Sequence, residues 1–261
     1  MLDNQTRNTA AELLWQAETG RAPLRPLRES FPAADVVDAY EIQLINIRRR
    51  LDQGGRVYGH KVGLSSPVMQ QMMGVDEPDY GHLLDSMVLS ESTPIRCADY
   101  CSPRIEVEIA YVLGQTLPGE GCTEADVIAA TEYVAPALEL IDSRITDWQI
   151  GLVDTIADNA SSAGVLLGAC RGNPRDLDLA DIEAVLFEDG TEITRGNTAA
   201  VLGNPTTAVA WLARTVATFG VQLEAGHVIL PGSCTRAVDV HPGAVFRADF
   251  AGLGTVTATF E

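Results

Sequence analysis

Basic residues and long apolar runs are both scarce in this chain of 261 residues. It has 18 Lys and Arg against 36 Asp and Glu, which gives a net charge of −18. Nucleic acids and anionic membrane surfaces attract basic proteins, so this balance argues against both as partners. No stretch approaches the roughly 18 uninterrupted apolar residues of a membrane span. Because segment 1–7 also lacks the apolar core of a signal peptide, we expect a cytoplasmic protein.

Cysteine and histidine are few as well. The five cysteines are scattered and odd in number, and Cys97 and Cys101 have no second pair at zinc-finger spacing. Only four histidines occur, which argues against a zinc site built on histidine. We therefore expect reduced, mostly structural thiols, in agreement with a cytoplasmic location.

Several widespread active-site motifs are missing. No G-x-G-x-x-G opens a helix after a strand and no Walker A sequence occurs, so nothing favours nucleotide binding. The motifs H-E-x-x-H and G-x-S-x-G are also absent. Residues 231–234, Pro-Gly-Ser-Cys, fit either a nucleophile or a tight turn after a strand, and the turn is the favoured interpretation.

The composition that remains is that of a globular protein. Hydrophobic residues make up 46% of the chain and charged residues 21%, enough for one large domain or two small ones. Helical spacing of apolar residues predicts helices over 7–18 and 35–53. A strand over 56–64 carries Lys61, and a polar loop is predicted over 75–81.

Beyond residue 83 the pattern changes to short strands separated by turns. The chain is thus predicted to be α+β, with a helical part over 1–80 and a β-rich part over 81–261. The dipeptide Asp189-Gly190 predicts a β-hairpin. The other predicted elements of this part are strands over 102–113, 134–141, 228–230, 245–250 and 255–260, and a helix over 204–220.

Two glutamates share one face of the predicted strand 102–113. Glu106 and Glu108 flank Val107, and residues i and i+2 of a strand point the same way, about 6.5–7 Å apart. Two buried carboxylates repel each other unless a cation or a shared proton offsets their charge. Mg²⁺ and Mn²⁺ prefer such carboxylate oxygens. Taken alone, however, the pair is more typical of a half-exposed edge strand with solvated glutamates.

Further polar residues stand in apolar surroundings. Lys61 interrupts an apolar strand, although a solvated lysine is the commoner explanation. Glu139 lies among aliphatic residues, where a lone charge is costly. Segment 154–162 is more polar than its flanks, and segment 76–80 on its own is typical of a loop.

Together these segments resemble the 2-keto-4-pentenoate hydratase family, within the wider fumarylacetoacetate hydrolase superfamily. The similarity runs from about residue 35 to the end, and it is strongest to actinobacterial hydratases of 2-hydroxypenta-2,4-dienoate or 2-hydroxyhexa-2,4-dienoate in aromatic and steroid catabolism. One departure is Gly226-His227, where the superfamily often has Gly-Asp. The matching segments, in family order, are 59–64, 73–81, 103–108, 136–144, 154–161 and 250–256.

The resemblance implies a fold and a set of site residues. The fold is a mixed β-roll catalytic domain of the fumarylacetoacetase C-terminal type, with a smaller helical N-terminal part, assembled as a homo-oligomer. The implied cofactor is Mg²⁺ or Mn²⁺. The implied residues are the metal ligands Glu106, Glu108 and Glu139, the catalytic residues Lys61 and Asp79, and the substrate contacts Ser161 and Leu64.

The resemblance also implies an activity, the addition of water to a small 2-hydroxy-2,4-dienoate to give a 4-hydroxy-2-oxo acid. A downstream 4-hydroxy-2-oxo acid aldolase is an expected partner. Three alternatives stay open: a 4-oxalocrotonate decarboxylase, an acylpyruvate hydrolase and a non-catalytic partner subunit. No His–Glu base for hydrolysis is identifiable in the sequence, and the presence of Lys61, Asp79 and the three glutamates argues against a non-catalytic role.

Overall fold

The fold consists of two β-sheets with helices packed against them. The computed structural model describes residues 1–261 except for the side chains of Met72 and Met73. The α-helices are α1 (Asn4–Gly20), α2 (Leu27–Ser30), α3 (Val36–Asp52), α4 (Pro67–Met73), α5 (Glu124–Ala130), α6 (Leu152–Ala157) and α7 (Pro205–Ala217). The strands are β1 (Val57–Gly63), β2 (Asp79–Leu84), β3 (Pro103–Leu113), β4 (Thr131–Asp142), β5 (Ser162–Leu167), β6 (Glu183–Glu188), β7 (Thr191–Asn197), β8 (Val228–Leu230), β9 (Val238–Asp239), β10 (Val245–Phe250) and β11 (Gly254–Thr259).

The larger sheet is mixed and has β3 near its centre. Its strand order is β2-β1-β8-β3-β4-β5, with β9 paired to β3 beside this path. The β1–β8 pair is parallel, whereas β3 runs antiparallel to both β4 and β8. This arrangement is the mixed sheet that the α+β prediction required.

The smaller sheet, in the order β11-β10-β6-β7, is antiparallel throughout. Its β6–β7 hairpin turns at Asp189 and Gly190, both with positive φ, as the Asp-Gly signal predicted. One hydrophobic cluster joins the two sheets, because it contains Ile105 and Tyr111 of β3 together with Phe246 of β10.

The local sequence explains most clearly why helix α3 begins where it does. Asp35 accepts a hydrogen bond from Asp38 N and the Asp38 carboxylate accepts one from Asp35 N, a reciprocal capping box at the start of the helix. Asp38 is buried, and Arg7 of α1 donates to it at 2.7 Å. The two N-terminal helices are therefore fixed to each other as well as to the core.

The prediction of a loop over 75–81 was wrong for its last residues. Asp79 begins β2 and pairs with Gly63 of β1, so the sheet, rather than a loop, holds its side chain. Residue 80 consequently lies within a strand of the larger sheet, and β1 before it pairs with β8 from the far end of the chain. The division of the chain at residue 80 stays a prediction.

No helix among the described residues has the length and apolar character that crossing a membrane requires.

Candidate metal centre and cavity

Three carboxylates converge on one face of the larger sheet. Glu106 and Glu108 come from β3, and Glu139 of β4 lies directly opposite Glu106 in the strand register. One oxygen from each of the three lies within 4.8 Å of the other two. Glu108 and Glu139 are buried and Glu106 is partly buried, so the exposed edge strand that the bare sequence favoured is not what forms.

Burial and mutual repulsion disfavour the charged forms of the glutamates in this triad. Burial raises the pKa of Glu139 to about 7, against the opposing effect of Lys61. Burial also raises the pKa of Glu108 well above its ordinary value, and the charges of Glu139 and Glu106 raise it further. Among the described residues, Glu108 Oε1 and both oxygens of Glu139 have no hydrogen-bond partner.

A hard divalent cation fits these three residues. It would take carboxylate oxygens as ligands and offset the repulsion that burial imposes on them. The buried oxygens without partners are the observation that decides this, because such groups are otherwise rare in folded proteins. The triad therefore has the chemistry of a site for a hard divalent cation.

Lys61 supplies the positive charge nearest to the triad. Its Nζ lies 3.4 Å from Glu139 Oε1, and its side chain is 4% exposed. Burial alone would lower the pKa of Lys61, but the charges of Glu139, Glu106, Asp79 and Glu108 outweigh it and hold the pKa above its ordinary value. Lys61 is also the only lysine in the chain. The site thus contains a fixed ammonium group at neutral pH.

Asp79 is a buried carboxyl group beside Lys61. Neither of its side-chain oxygens has a hydrogen-bond partner among the described residues. Burial raises the pKa of Asp79 to about 6, although Lys61 opposes the shift. A Cβ added at Gly63 would collide with Asp79 Oδ1, so the glycine makes the room that this side chain occupies. The result is a buried carboxyl group whose pKa is raised towards neutrality.

Glu106 of the carboxylate triad opens onto a cavity of about 310 Å³. Lys61, Asp79 and Glu106 line it, as do the two predicted substrate contacts, Ser161 and Leu64. Ser161 Oγ is buried and has no hydrogen-bond partner among the described residues. The structure therefore brings the predicted site residues to one place, and their individual roles stay predictions.

Two segments beside this cavity have a left-handed backbone conformation. Leu64 has a φ of 52°, and the consecutive residues Asn159, Ala160 and Ser161 have φ values of 55°, 49° and 58°. Such conformations cost non-glycine residues roughly 1–2 kcal/mol each. The Asn159 side chain holds this turn in place, because it accepts from His82 N at 2.8 Å and donates to His82 O at 2.9 Å.

Sequence analysis missed the part that residues 231–234 play. They follow β8 as irregular backbone with a bend at Cys234, and Gly232 N donates to Glu108 Oε2 at 2.7 Å and thereby orients a predicted metal ligand. A Cβ at Gly232 would collide with Ser65 Oγ, and its φ of 120° also requires glycine. Arg104 and Trp148, which line the same cavity, were missed as well. The position of Arg104 two residues before Glu106 was the available signal.

Comparison with known proteins places this geometry in a family. The family model described as fumarylacetoacetate (FAA) hydrolase C-terminal matches residues 59–261, which include all three glutamates, Lys61 and Asp79. The chain belongs to the fumarylacetoacetate hydrolase family. The fold that the sequence predicted is thereby confirmed.

Individual relatives narrow the position within the family. The chain is 46% identical over 257 residues to a 2-keto-4-pentenoate hydratase from Paraburkholderia xenovorans (strain LB400), covering 98% of this chain and 96% of the relative. It is 40% identical over 262 residues to the 2-hydroxyhexa-2,4-dienoate hydratase of Comamonas testosteroni, covering 100% and 99%. A solved 4-oxalocrotonate decarboxylase from Pseudomonas putida G7, complexed with magnesium and adipate, superposes with a TM-score of 0.96 at 35% identity, covering 100% and 99%. The predicted family resemblance is confirmed.

Proposed function

We propose that this protein is a hydro-lyase that depends on a divalent metal. It adds water to 2-hydroxypenta-2,4-dienoate or 2-hydroxyhexa-2,4-dienoate and forms a 4-hydroxy-2-oxo acid. The observation that carries the proposal is the cluster of three carboxylates, with buried oxygens that no hydrogen bond satisfies, beside a cavity lined by Lys61 and Asp79. The named hydratases of similar length support the choice of substrate class.

Glu106, Glu108 and Glu139 would hold the cation, with Mg²⁺ or Mn²⁺ as the proposed ion. When bound, the cation would supply Lewis-acid chemistry for the 2-oxo acid end of the substrate. Glu108 keeps its orientation through the hydrogen bond from Gly232 N. The rest of the chemistry falls to residues that already line the cavity.

Lys61 stabilises negative charge. Transfer of the enol proton to C5 first converts the dienol to a 2-oxo-3-enoate, whose C4 is electrophilic. Because its pKa is raised, the Lys61 ammonium group keeps its proton and offers positive charge where the C2 oxygen becomes anionic as water adds at this C4. A protonated lysine cannot remove a proton from water, so the base must be another group.

Asp79 is the group suited to move protons. With a pKa of about 6, its carboxylate can take a proton from the attacking water and return it to the carbon chain. Its position opposite Gly63 on the neighbouring strand holds it near Lys61. Ser161 and Leu64, from the cavity wall, would contact the substrate and limit its orientation.

The setting of the reaction is also part of the proposal. We infer a cytoplasmic homo-oligomer in aromatic or steroid catabolism, whose product passes to a 4-hydroxy-2-oxo acid aldolase. A 4-hydroxy-2-oxo acid is the type of compound that retro-aldol cleavage consumes, which supports that order of reactions.

Loss of dienol absorbance tests the function. The protein with Mg²⁺ or Mn²⁺ should consume 2-hydroxypenta-2,4-dienoate, and mass spectrometry should show a product heavier by one water. Glu106→Gln should lose this activity and stay folded, whereas Glu132→Gln, at an exposed position of β4, should keep it. No consumption by the wild-type protein, or full turnover by Glu106→Gln, would contradict the proposal.

A decarboxylase is the second candidate, favoured by the superposition on 4-oxalocrotonate decarboxylase. The same charge stabilisation by Lys61 and the cation would serve loss of carbon dioxide. Incubation with 2-oxohex-3-enedioate separates the two functions, because release of carbon dioxide without hydration of the pentadienoate would favour the decarboxylase.

A further inference from the structure

The cavity extends past the carboxylate triad to an arginine. Arg104 lies two residues before Glu106 on β3, so both side chains project from the same face, about 6.5–7 Å apart along the strand. Ile141 of β4 is opposite Arg104, as Glu139 is opposite Glu106. Since Arg104, Ile141 and Glu106 all line the cavity, it runs along the two strands from the metal ligands to Arg104.

The guanidinium group of Arg104 is held from two sides. Its Nε donates to Asp239 Oδ1 at 2.6 Å, and its Cζ lies 4.5 Å from the centre of the Trp148 ring. Trp148 is itself fixed, because its Nε1 donates to Ser102 O at 3.0 Å. The orientation of Arg104 is therefore set before any ligand arrives.

Backbone strain at Trp148 also supports a fixed orientation of Arg104. Asp147 and Trp148 have φ values of 53° and 55°, a conformation that non-glycine residues adopt at a cost. That cost places the indole ring against the Arg104 guanidinium. The hydrogen bonds of Arg104 to described residues are made by Nε alone, which leaves its Nη groups for another acceptor.

The proposed chemistry at the other end of the cavity makes no use of Arg104. The substrate's carboxylate and C2 oxygen are served there by the cation site and Lys61. At the Arg104 end, Arg236 adds a second guanidinium, while Ile141, Trp148 and Ile150 supply apolar surface. A carbon chain that ends in an anion suits this combination, because guanidinium groups bind carboxylates through paired hydrogen bonds.

We propose that Arg104 forms a second anion subsite, so that the cavity admits 2-oxo acids and 2-hydroxydienoates with a carboxylate at the end remote from the metal ligands. Arg104 is the specificity-determining residue, and Trp148 and Asp239 position it. The inference rests on the proposed function for the location of the 2-oxo acid end. For the proposed hydratase, it extends the substrate class from monocarboxylic to dicarboxylic 2-hydroxydienoates.

Two unreactive ligands of equal chain length test the subsite. 2-Oxoadipate and 2-oxohexanoate share six carbons and the 2-oxo acid end, and they differ only in the remote carboxylate. Calorimetric titration of the Mg²⁺-loaded protein should show 2-oxoadipate binding at least about tenfold more tightly, the scale of a charge-assisted hydrogen bond. In Arg104→Gln this preference should disappear through weaker binding of 2-oxoadipate, with 2-oxohexanoate changed by less than about twofold.

Arg247 offers a matched control. It also donates to an aspartate, Asp249, and lies over an aromatic ring, Phe187, but it belongs to β10 of the smaller sheet and not to the cavity. Arg247→Gln should keep the wild-type preference. Trp148→Phe, which loses the hydrogen bond to Ser102, should reduce the preference without affecting 2-oxohexanoate. If Arg104→Gln does not fold, Arg104→Lys takes its place and should retain only part of the preference.

Two results would overturn the subsite. One is equal binding of both ligands by the wild-type protein; the other is equal weakening of both by Arg104→Gln, which would assign Arg104 to the shared end or to structure alone. Neither measurement requires turnover. An Arg104-dependent preference in a protein that hydrates no dienoate would therefore refute the proposed function and leave the subsite standing.

Discussion

Lys61 Nζ and Glu139 Oε1 lie 3.4 Å apart, although their strands are not neighbours. In the larger sheet β8 and β3 stand between β1 and β4, so the two side chains meet over the face of the sheet. Both are almost entirely buried. This ion pair places the single lysine of the chain beside the candidate metal centre. Replacing either residue should therefore change the free energy of unfolding of the metal-free protein.

Replacing Lys61 by Met should destabilise the metal-free protein by about 3 kcal/mol, because Glu139 would be left as an unpaired buried charge. The loss should be smaller at pH 6 than at pH 8, since Glu139, with its raised pKa, can then take up a proton. Urea unfolding in EDTA measures both effects. Arg25→Met breaks an exposed pair with Glu29 and should cost no more than about 0.5 kcal/mol. Equal losses in the two variants would contradict the assignment.

Neutralising one of the predicted metal ligands should stabilise the protein when no metal is present. Glu108→Gln removes one of three mutually repelling carboxylates and keeps an acceptor for Gly232 N. In EDTA its melting temperature should equal or exceed that of the wild type. Added Mg²⁺ or Mn²⁺ should raise the melting temperature of the wild type and of the exposed variant Glu132→Gln, but not that of Glu108→Gln. A variant that is less stable in EDTA and still responds to metal would refute the triad.

A single methyl group at Gly63 should displace the proposed acid–base group. In Gly63→Ala the new Cβ collides with Asp79 Oδ1, so the carboxyl group must rotate away from its position beside Lys61. Hydration should fall by about 10²-fold or more, the usual contribution of a general acid–base group. The metal-induced rise in melting temperature should remain, because the triad is untouched. Gly20→Ala is the control, since its added Cβ meets nothing within 4 Å; similar kinetics in both variants would count against Asp79.

His82 should make the fold sensitive to acid. Burial lowers the pKa of His82 to about 4, below the 6.5 of a free histidine. The unfolded chain therefore binds the proton more strongly, and the stability that His82 contributes is complete above pH 6.5 and is lost as the pH falls towards 4. The loss amounts to about 2 kcal/mol by pH 5.

The pH dependence of stability in His82→Asn, compared with that of the wild type, isolates this effect. The comparison is needed because the raised pKa values of Asp79 and Glu139 make the folded protein more stable as the pH falls, which is the opposite direction. Urea unfolding between pH 8 and pH 5 should show the wild type losing more stability than the variant. His241 gives a control whose pKa shift has the opposite sign, because the Pro242 carbonyl and Glu188 raise the pKa of His241. Parallel pH profiles for wild type and His82→Asn would refute the prediction.

Local sequence patterns determined much of the fold. The alternation around Glu106 and Glu108 predicted strand 102–113, and β3 covers Pro103–Leu113. The Asp-Gly hairpin and the helix at 204–220 were found in the same way, the latter as α7 (Pro205–Ala217). These elements have signals that span only a few residues, because side-chain periodicity and turn chemistry are local.

Asp79 shows where that approach ends. Its neighbours, with Pro78 and Gly81 close by, are those of a loop, yet pairing with β1 makes Asp79 the first residue of a strand. Strand propensity depends on the partner strand and on burial, neither of which a short stretch of sequence contains. The family resemblance named Asp79 as a site residue, but it gave no place for the side chain.

The sequence by itself determined that Glu106 and Glu108 share a face, that Glu139 stands among aliphatic residues and that the segments match one family. Only the tertiary structure decided that the three carboxylates meet within 4.8 Å, that Gly232 N holds Glu108 and that Arg104 points into the same cavity. Those relations join residues up to 124 positions apart in the chain. They depend on strand register and on the packing of the segment 231–234 after β8, which follow from contacts across the whole sheet.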